Sequence, residues 1–412
     1  MYRKVGACRI CGNNNLVSVL ELGEQALTGV FPRTADAEVT SGPLTLMKCS
    51  GPGRCGLLQL AHSYSLDEMY GDNYGYRSGL NPSMVAHLRS KVRKIEAFGV
   101  ISPQAIVVDI GSNDGTTLKQ YAVGTPTLVG IDPTARKFRE FYGDAIQLIP
   151  EFFSAERYLR HSGGRKAAVV TSFAMFYDLE DPLEFMRQVA NVLEDNGVWV
   201  FEQSYMPAML ATNSYDTVCH EHLEYYSLLQ VLWMAEHAGL RIVDVELNEV
   251  NGGSFSVTAQ KLSGQLKIAP SVAQIAQQEK SQRLDEVGTY VSFARRVQES
   301  REELRNFFER AAASHKTVMG LGASTKGNVI LQYCGITPAL LSCVGEINPD
   351  KFGCYTPGTR IRIVNEEDVI RRNPDFVLVL PWHFRRHFES QPRYSSLRLV
   401  YPLPTLSGAA DA

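Results

Sequence analysis

Ala105-Ile-Val-Val-Asp-Ile110 runs without a break into Gly111-Ser-Asn-Asp-Gly115. The apolar run reads as a strand buried on both faces, the glycines as a tight turn, and the residues from Thr116 as the helix that the turn opens. Strand, glycine turn and helix make the first βα unit of a doubly wound α/β sheet, where ligands lie beyond the carboxyl ends of the strands. Outward from it, Thr127–Ile131 reads as a second strand. It ends in Asp132, where a carboxylate can accept hydrogen bonds from ribose hydroxyls. Ala168–Ser172 and Val198–Glu202 continue the sheet, with a helix Leu183–Leu193 between them. Upstream, apolar residues at 84, 85, 88, 92, 95 and 98 mark a helical stripe. Downstream, a helix Leu228–His237 leads to an antiparallel pair, Arg241–Glu246 and Gly253–Gln260, that closes the sheet near residue 262. The loop itself is D-x-G-x-x-x-G and not G-x-G-x-x-G, which weakens a dinucleotide reading at this place.

The chain has 412 residues, too many for one ordinary core, so two or three domains are expected. A formal net charge of -3 offers no basic field for nucleic acid, and the run Arg89 to Lys94 fits the wet face of a helix. No apolar run is long enough to span a bilayer, and the polar start MYRKVGACR has no signal-peptide core. A cytoplasmic protein without membrane or nucleic-acid partners is the expectation. In that compartment eight cysteines point to metal or chemistry before disulfides.

Four of the cysteines fall in the first 55 residues, Cys8 and Cys11 as C-R-I-C and Cys49 and Cys55 as C-S-G-P-G-R-C. Two close pairs some forty residues apart have the spacing by which two turns grip one tetrahedral zinc through four thiolates. Such a site is closed, so its role is structural, holding together a module otherwise too small to fold alone. Scattered free thiols are the alternative.

The densest chemistry is in Asp216 to Tyr226, DTVCHEHLEYY. It gathers Cys219, His220, Glu221, His222, Glu224 and two phenols, Tyr225 and Tyr226, just past the last parallel strand. Imidazole titrates nearest neutrality, and a carboxylate beside it orients the ring and raises its basicity. His222 with Glu221 is therefore the leading candidate for a general base. The plainer reading makes these histidines satisfied core residues, but the clustering favours function. Two further stretches are candidates. G-D-N-Y-G-Y-R-S-G carries Tyr74, Tyr76 and Arg77 on a loop. Phe173 to Pro182 is an aromatic-rich segment at the carboxyl end of a strand.

After a long helical stretch with apolar residues at 284, 287, 291, 294, 304, 307 and 308, a second nucleotide-type fold opens. Thr317–Leu321 runs into Gly322-Ala-Ser-Thr-Lys-Gly-Asn328, and hydroxyls, glycines and Lys326 at a helix N-terminus favour an anion. Ser324, Lys326 and Asn328 are candidate substrate contacts. Leu341–Glu346 and Asp375–Leu380 are further strands, and the second runs into P-W-H-F-R-R-H, where Trp382, His383, Arg385 and Arg386 could meet a base or a diphosphate.

The D-I-G-S-N-D-G loop resembles the first motif of the Rossmann-like S-adenosylmethionine (SAM) methyltransferases. That resemblance implies SAM contacts at Asp109, Gly111, Ser112, Asn113, Gly115 and Asp132. The four cysteines, this loop, C-H-E-H-L-E-Y-Y and G-A-S-T-K-G-N, in that order, resemble one family over essentially the whole chain: the nucleotide-sugar C-methyltransferases that act at C3 of 4-keto-6-deoxyhexoses. The resemblance implies a zinc-binding domain at 1–75, a SAM domain at 76–262 and a C-terminal Rossmann-like domain at 263–412 that helps hold the nucleotide-sugar. It also implies His222 as base, Glu221 as its acidic neighbour and Tyr76 near the transferred methyl. Cys219 stands where the family has a tyrosine, in a substrate-contacting row with Tyr225 and, from the third domain, His383. Glu221, His220 or a tyrosine hydroxyl would stabilise an enolate oxygen. Alternatives are a SAM-dependent sugar O-methyltransferase and an NAD(P)-dependent nucleotide-sugar reductase. A non-enzymatic zinc finger on an inert scaffold is disfavoured by the acidic charge and the histidine cluster.

Overall fold

The computed structural model describes residues 2–65, 69, 77–122 and 126–410. Tyr76 and the loop residues Tyr70 and Tyr74 lie outside the described residues. Four sheets carry the described residues. At the N-terminus, β1 (Tyr2–Lys4) and β5 (His62–Tyr64) form a two-stranded ribbon, and β2 (Leu16–Ala26), β3 (Ser41–Cys49) and β4 (Leu58–Leu60) form an antiparallel sheet. The C-R-I-C turn precedes β2, Cys49 ends β3, and Cys55 lies in the turn before β4, so chain order alone brings both cysteine pairs to one end of this sheet.

The central sheet has seven strands: β6 (Ile106–Ile110), β7 (Thr127–Ile131), β8 (Ile146–Ile149), β9 (Ala167–Phe173), β10 (Leu193–Ser204), β12 (Leu240–Asn248) and β13 (Ser254–Lys261). Their order is β12-β13-β10-β9-β6-β7-β8. All run parallel except β13, which lies antiparallel between β10 and β12. The order reverses between β6 and β9, and the crevice at such a switch point is where doubly wound sheets bind ligands. Both faces are buried, one under α1 (Pro82–Glu96) and the other under α3 (Pro182–Val192) and α5 (Leu228–His237), and Val107, Val108, Val169 and Val170 are all fully buried. Helix α1 starts where Asn81 caps Ser83 N–H with Pro82 in the first turn, and α3 starts where Asp181 caps Glu184 N–H before Pro182. One expectation fails here. The helix predicted from Thr116 is a single 3₁₀ turn, Leu118–Gln120. Asp114 caps this turn, taking both the N–H and the hydroxyl of Thr116, but the chain leaves it after one turn at Tyr121, which is extended with ψ 150.

The C-terminal sheet is parallel, β16-β15-β14-β17-β18, built from β14 (Val318–Leu321), β15 (Val344–Glu346), β16 (Ile363–Asn365), β17 (Phe376–Val379) and β18 (Leu399–Val400). Gly322 turns the chain out of β14 at φ +80, and a Cβ there would stand 2.4 Å from Pro381 Cδ, so the loops after β14 and β17 meet only because this residue is glycine. The long helical stretch is two helices, α6 (Pro270–Ser281) and α7 (Val287–Ala313). Leu304, Phe307 and Phe308 of α7 share one continuous core with Leu44 and Leu46 of the N-terminal sheet and Val377 and Leu378 of the C-terminal one. Among the described residues no helix is long and apolar enough to cross a membrane.

Candidate active site

The loop after β6 is shaped for a close-lying ligand. Gly111 and Gly115 have φ of +72 and +71, and a Cβ on Gly111 would meet Met175 Cγ at 3.0 Å. Asp132, buried at the end of β7, fixes the loop: its Oδ2 accepts Asn113 N–H at 2.8 Å, and its Oδ1 accepts Thr134 N–H at 2.7 Å and the Thr134 hydroxyl at 2.6 Å. Tyr142 bonds to Ser112 Oγ at 2.7 Å and donates to Asn113 O at 2.8 Å, packing against Gly115 and Gly130. Asn113 and Asp114 side chains accept from Ser78 and Gly79 N–H at 3.0 Å each, so 77–80 is fastened over the loop. Asp109 accepts from Thr171 Oγ1 at 2.6 Å, and burial pushes its carboxyl up to about 7. Backbone N–H groups, two positive-φ glycines and a buried carboxylate at the second strand's end suit SAM's amino acid and ribose.

The Asp216–Tyr226 segment leaves the central domain and returns to it. Glu224–Tyr225 forms β11, which pairs antiparallel with β4 and so extends the zinc-bearing sheet. Leu223 lies between the two domains: its N–H donates to Tyr177 O at 2.8 Å, and its O accepts Leu60 N–H at 2.9 Å. His222 Nδ1 lies 2.8 Å from Thr217 O. A carbonyl can only accept, so Nδ1 carries the proton and Nε2 keeps a free lone pair. The ring packs on Tyr177, centroids 4.3 Å apart, beside a cavity of about 10 Å³, roughly one water, that Ser204, Thr217 and Glu224 also line. Burial, and then Lys326, push His222 down to about 4, so it is neutral at physiological pH. Met175 against Gly111 and Tyr177 against His222 are two residues apart in the turn after β9, which links the SAM loop to this imidazole.

The other candidates are placed as follows. Glu221 turns toward the Thr28–Gly29 loop, accepting from Thr28 Oγ1 at 3.4 Å, and burial raises its pKa. A Cβ on Gly29 would come 2.6 Å from its Oε1. Cys219 is buried beside it, its thiol also pushed up by burial, and Tyr225 donates to Thr217 O at 3.4 Å. His220 points away from His222 into the N-terminal sheet, edge-on to Tyr64 at 4.6 Å with Nε2 3.4 Å from Gly42 O. From the third domain, Lys326 Nζ donates to Asn251 O at 2.7 Å and Trp382 Nε1 donates to the buried Asp216 at 2.8 Å. His383 lies beside Trp382 and Gly252. Ser324 caps helix α8 (Thr325–Tyr333) through Gly327 N–H, and Asn328, fully buried, donates to Thr28 O at 2.8 Å. Lys326, His222 and Asp216 thus gather where all three domains meet, while Ser324 and Asn328 are already engaged within the protein. Thr217 and Tyr177 escaped sequence reading as partners of His222; Tyr177 lies in the aromatic segment singled out above.

His220 gives a test of this placement. Burial pushes its pKa down to about 4 from an ordinary 6.5. The unfolded chain then binds the proton more readily, so the contribution, on the order of 3 kcal/mol at most, is present above pH 6.5 and is lost as pH falls from 6.5 to 4. Urea midpoints across that range should fall less steeply in His220→Phe than in the wild type; an unchanged slope would mean that the ring is solvated.

Four thiols close the inventory. Cys8, Cys11, Cys49 and Cys55 Sγ atoms all lie within 4.8 Å of one another, with separations of 3.4 Å for Cys8–Cys55, 3.4 Å for Cys55–Cys11 and 3.7 Å for Cys11–Cys49. A tetrahedral zinc with Zn–S near 2.3 Å sets its sulfurs about 3.8 Å apart, so the donor set fits. Ile10 and Cys11 N–H groups point at Cys8 Sγ, Leu57 N–H at Cys55 Sγ, and Asn13 Nδ2 at Cys49 Sγ at 3.3 Å.

Comparison with known proteins matches three family models end to end: a zinc binding domain at residues 8–70, a methyltransferase domain at 84–245 and a C-methyltransferase C-terminal domain at 249–404. The C-methyltransferase NovU of Streptomyces niveus is 31% identical over 415 residues, 98% of this chain and 97% of that protein. Solved structures align over about half of the chain, among them an O-methyltransferase family protein from Burkholderia thailandensis (20% identity, 49% of this chain and 64% of that one, TM-score 0.37) and the CcbJ methyltransferase of Streptomyces caelestis (14%, 47% and 97%, TM-score 0.35). With a curated C-methyltransferase matched from end to end and a zinc module that has its four ligands in place, the chain belongs to the family of SAM-dependent C-methyltransferases that carry an N-terminal zinc-binding domain.

Proposed function

We propose that this cytoplasmic enzyme methylates C3 of a nucleotide-linked 4-keto-6-deoxysugar, with His222 Nε2 as the base that removes the C3 proton. The observation that carries the reading is the His222–Thr217 hydrogen bond, which commits Nδ1 as donor and leaves Nε2 unprotonated, on a ring joined to the glycine loop through Tyr177 and Met175. A carbon next to a ketone becomes nucleophilic once its proton leaves, because the charge spreads to the ketone oxygen. Bound SAM supplies the electrophilic methyl. The protein's part is to hold the lone pair of Nε2 within reach of that proton and to offer a donor to the developing oxyanion. Glu221, whose burial favours the protonated form, is such a donor, and Tyr76 is a second candidate. Lys326 and His383, which lie against the Asn251–Gly252 turn, would meet the diphosphate or base of a nucleotide-linked acceptor.

The experiment is deuterium washout: a nucleotide-linked 4-keto-6-deoxyhexose in heavy water without SAM, followed by proton NMR. Loss of the C3 signal with wild type but not with His222→Ala is the expected result. Loss at C5 instead, the other carbon beside the ketone, would move the methylation site there. Methyl transfer to a sugar hydroxyl with no ketone present would overturn the enolate reading in favour of O-methylation.

A further inference from the structure

Arg9 lies inside the zinc knuckle, one residue after Cys8, yet its side chain leaves the knuckle toward the methyltransferase sheet and is 2% exposed. Its Nη1 donates to Glu180 Oε2 at 2.7 Å, and its Nη2 to Ser63 Oγ at 3.0 Å and His62 O at 3.3 Å. Its Nε stands 3.6 Å from Glu224 Oε1. At its root, the Arg9 peptide N–H donates to Gln59 Oε1 at 2.9 Å, while Gln59 Nε2 donates to Ala7 O at 3.1 Å. Gln59 is in turn the register partner of Glu224 in the β4–β11 pair.

The two carboxylates belong to the two segments that form the candidate site. Glu180 comes three residues after Tyr177, and Glu224 two residues after His222. Tyr177 and His222 are the two rings in contact, inclined at 59°, and Leu223 N–H bonds to Tyr177 O. One fork-shaped cation, anchored in a metal-stapled turn, therefore spans both. We propose that Arg9 is a positioning residue: it holds the Tyr177 and His222 segments against each other and thereby keeps His222 oriented with Nδ1–H on Thr217. Without it, Glu180 keeps Arg3 at 2.7 Å and Ser63 at 3.0 Å on the same Oε2, whereas Glu224, fully buried and with no hydrogen-bond donor among the described residues, loses its cation. Burial already pushes that carboxyl up, so it takes a proton, and the charged link between the two segments is gone. Arginine suits the role because its planar fork reaches two acceptors at fixed angles, which a lysine cannot copy.

The consequence for turnover rests on the base reading of His222; the consequence for its ring does not. The test uses the zinc-loaded full chain with ¹⁵N-labelled histidine, His222 being identified by its absence in His222→Gln. Wild type should show His222 as a single Nδ1–H tautomer. In Arg9→Met, zinc content and SAM affinity should stay unchanged, the His222 signals should move to a tautomer mixture, and kcat should fall about 10–100-fold with little change in KM. Arg9→Lys should lie between. Glu180→Gln, which leaves the knuckle untouched, should shift the ring the same way and carries the test if Arg9→Met does not fold. An unshifted His222 tautomer in a folded, zinc-loaded Arg9→Met protein would overturn the proposal. A shifted tautomer with full turnover would uphold the positioning and remove His222 from the base role.

Discussion

His222→Ala is expected to lower turnover by about 10²–10⁴-fold, with SAM affinity intact, because the side chain lies beyond Tyr177 and Met175 from the glycine loop proposed to hold SAM. Isothermal titration with SAM, set beside turnover, separates the two. Loss of SAM affinity in the variant would place the imidazole in the cofactor pocket. The pH profile carries more information. His222, pushed down to about 4 by burial and then by Lys326, must be neutral to act as the proposed base, so kcat/KM should be flat through neutrality and fall only as pH drops toward 4. An anionic diphosphate beside Lys326 offsets that cation, which lets the imidazole become more basic in the complex. The acid limb of kcat should therefore lie above that of kcat/KM. The sign is specific: if both limbs coincide, Lys326 does not meet the acceptor's charge. Lys326→Met should raise the acid limb of kcat/KM while weakening the acceptor's binding.

Much of this arrangement was legible before any coordinates, and the parts that were not share a cause. The strand Ala105–Ile110 and the cysteine spacing are local signals, because buried strands and metal knuckles are written in contiguous residues. Leu228–His237 likewise emerged with the predicted bounds. The helix after Gly115 stops after one turn because the chain goes extended at Tyr121 (ψ 150), where no glycine or proline marks a stop in the sequence. Within CHEHLEYY the clustering was visible, but the division of labour was not. His220 and His222 are two residues apart, both in the turn just before the short strand Glu224–Tyr225, yet face opposite partners: Tyr64 and Gly42 for one, Tyr177 and Thr217 for the other. Which imidazole meets which partner depends on β4, about 160 residues upstream by chain order, and long-range pairing leaves no mark in the segment itself. The same holds for Arg9, which sequence inspection passes over as a spacer between two ligands.

Removing the zinc is the change expected to reach furthest. In Cys8→Ser, or after a chelator has stripped the wild type, elemental analysis should find the metal gone and thermal melting should show an early transition for the N-terminal sheet, since structural zinc is worth roughly 10–16 kcal/mol to small domains that depend on it. The magnitude follows from what the metal organises. Two of its ligands sit in turns with glycines at positive φ, and Lys48, fully buried, has its ammonium committed to Cys49 O and Gly56 O at 3.2 and 2.7 Å, a cation placed against a thiolate cluster that carries net negative charge with zinc bound. Without the metal that cation loses the anionic cluster and keeps two carbonyls, the Tyr290 ring at 5.4 Å and the field of Asp285, a costly state that unfolding relieves. Activity should vanish with the metal even though zinc touches no reacting atom, because β11 and His222 hang on β4 of the same sheet. SAM binding should survive, since the loop from Gly111 to Gly115 and Asp132 belong to the seven-stranded sheet, whose strand pairing does not involve the zinc-bearing one. Survival of turnover in metal-free protein would mean that the four thiols hold their turns unaided; loss of SAM binding together with turnover would mean that the two sheets fold as one unit.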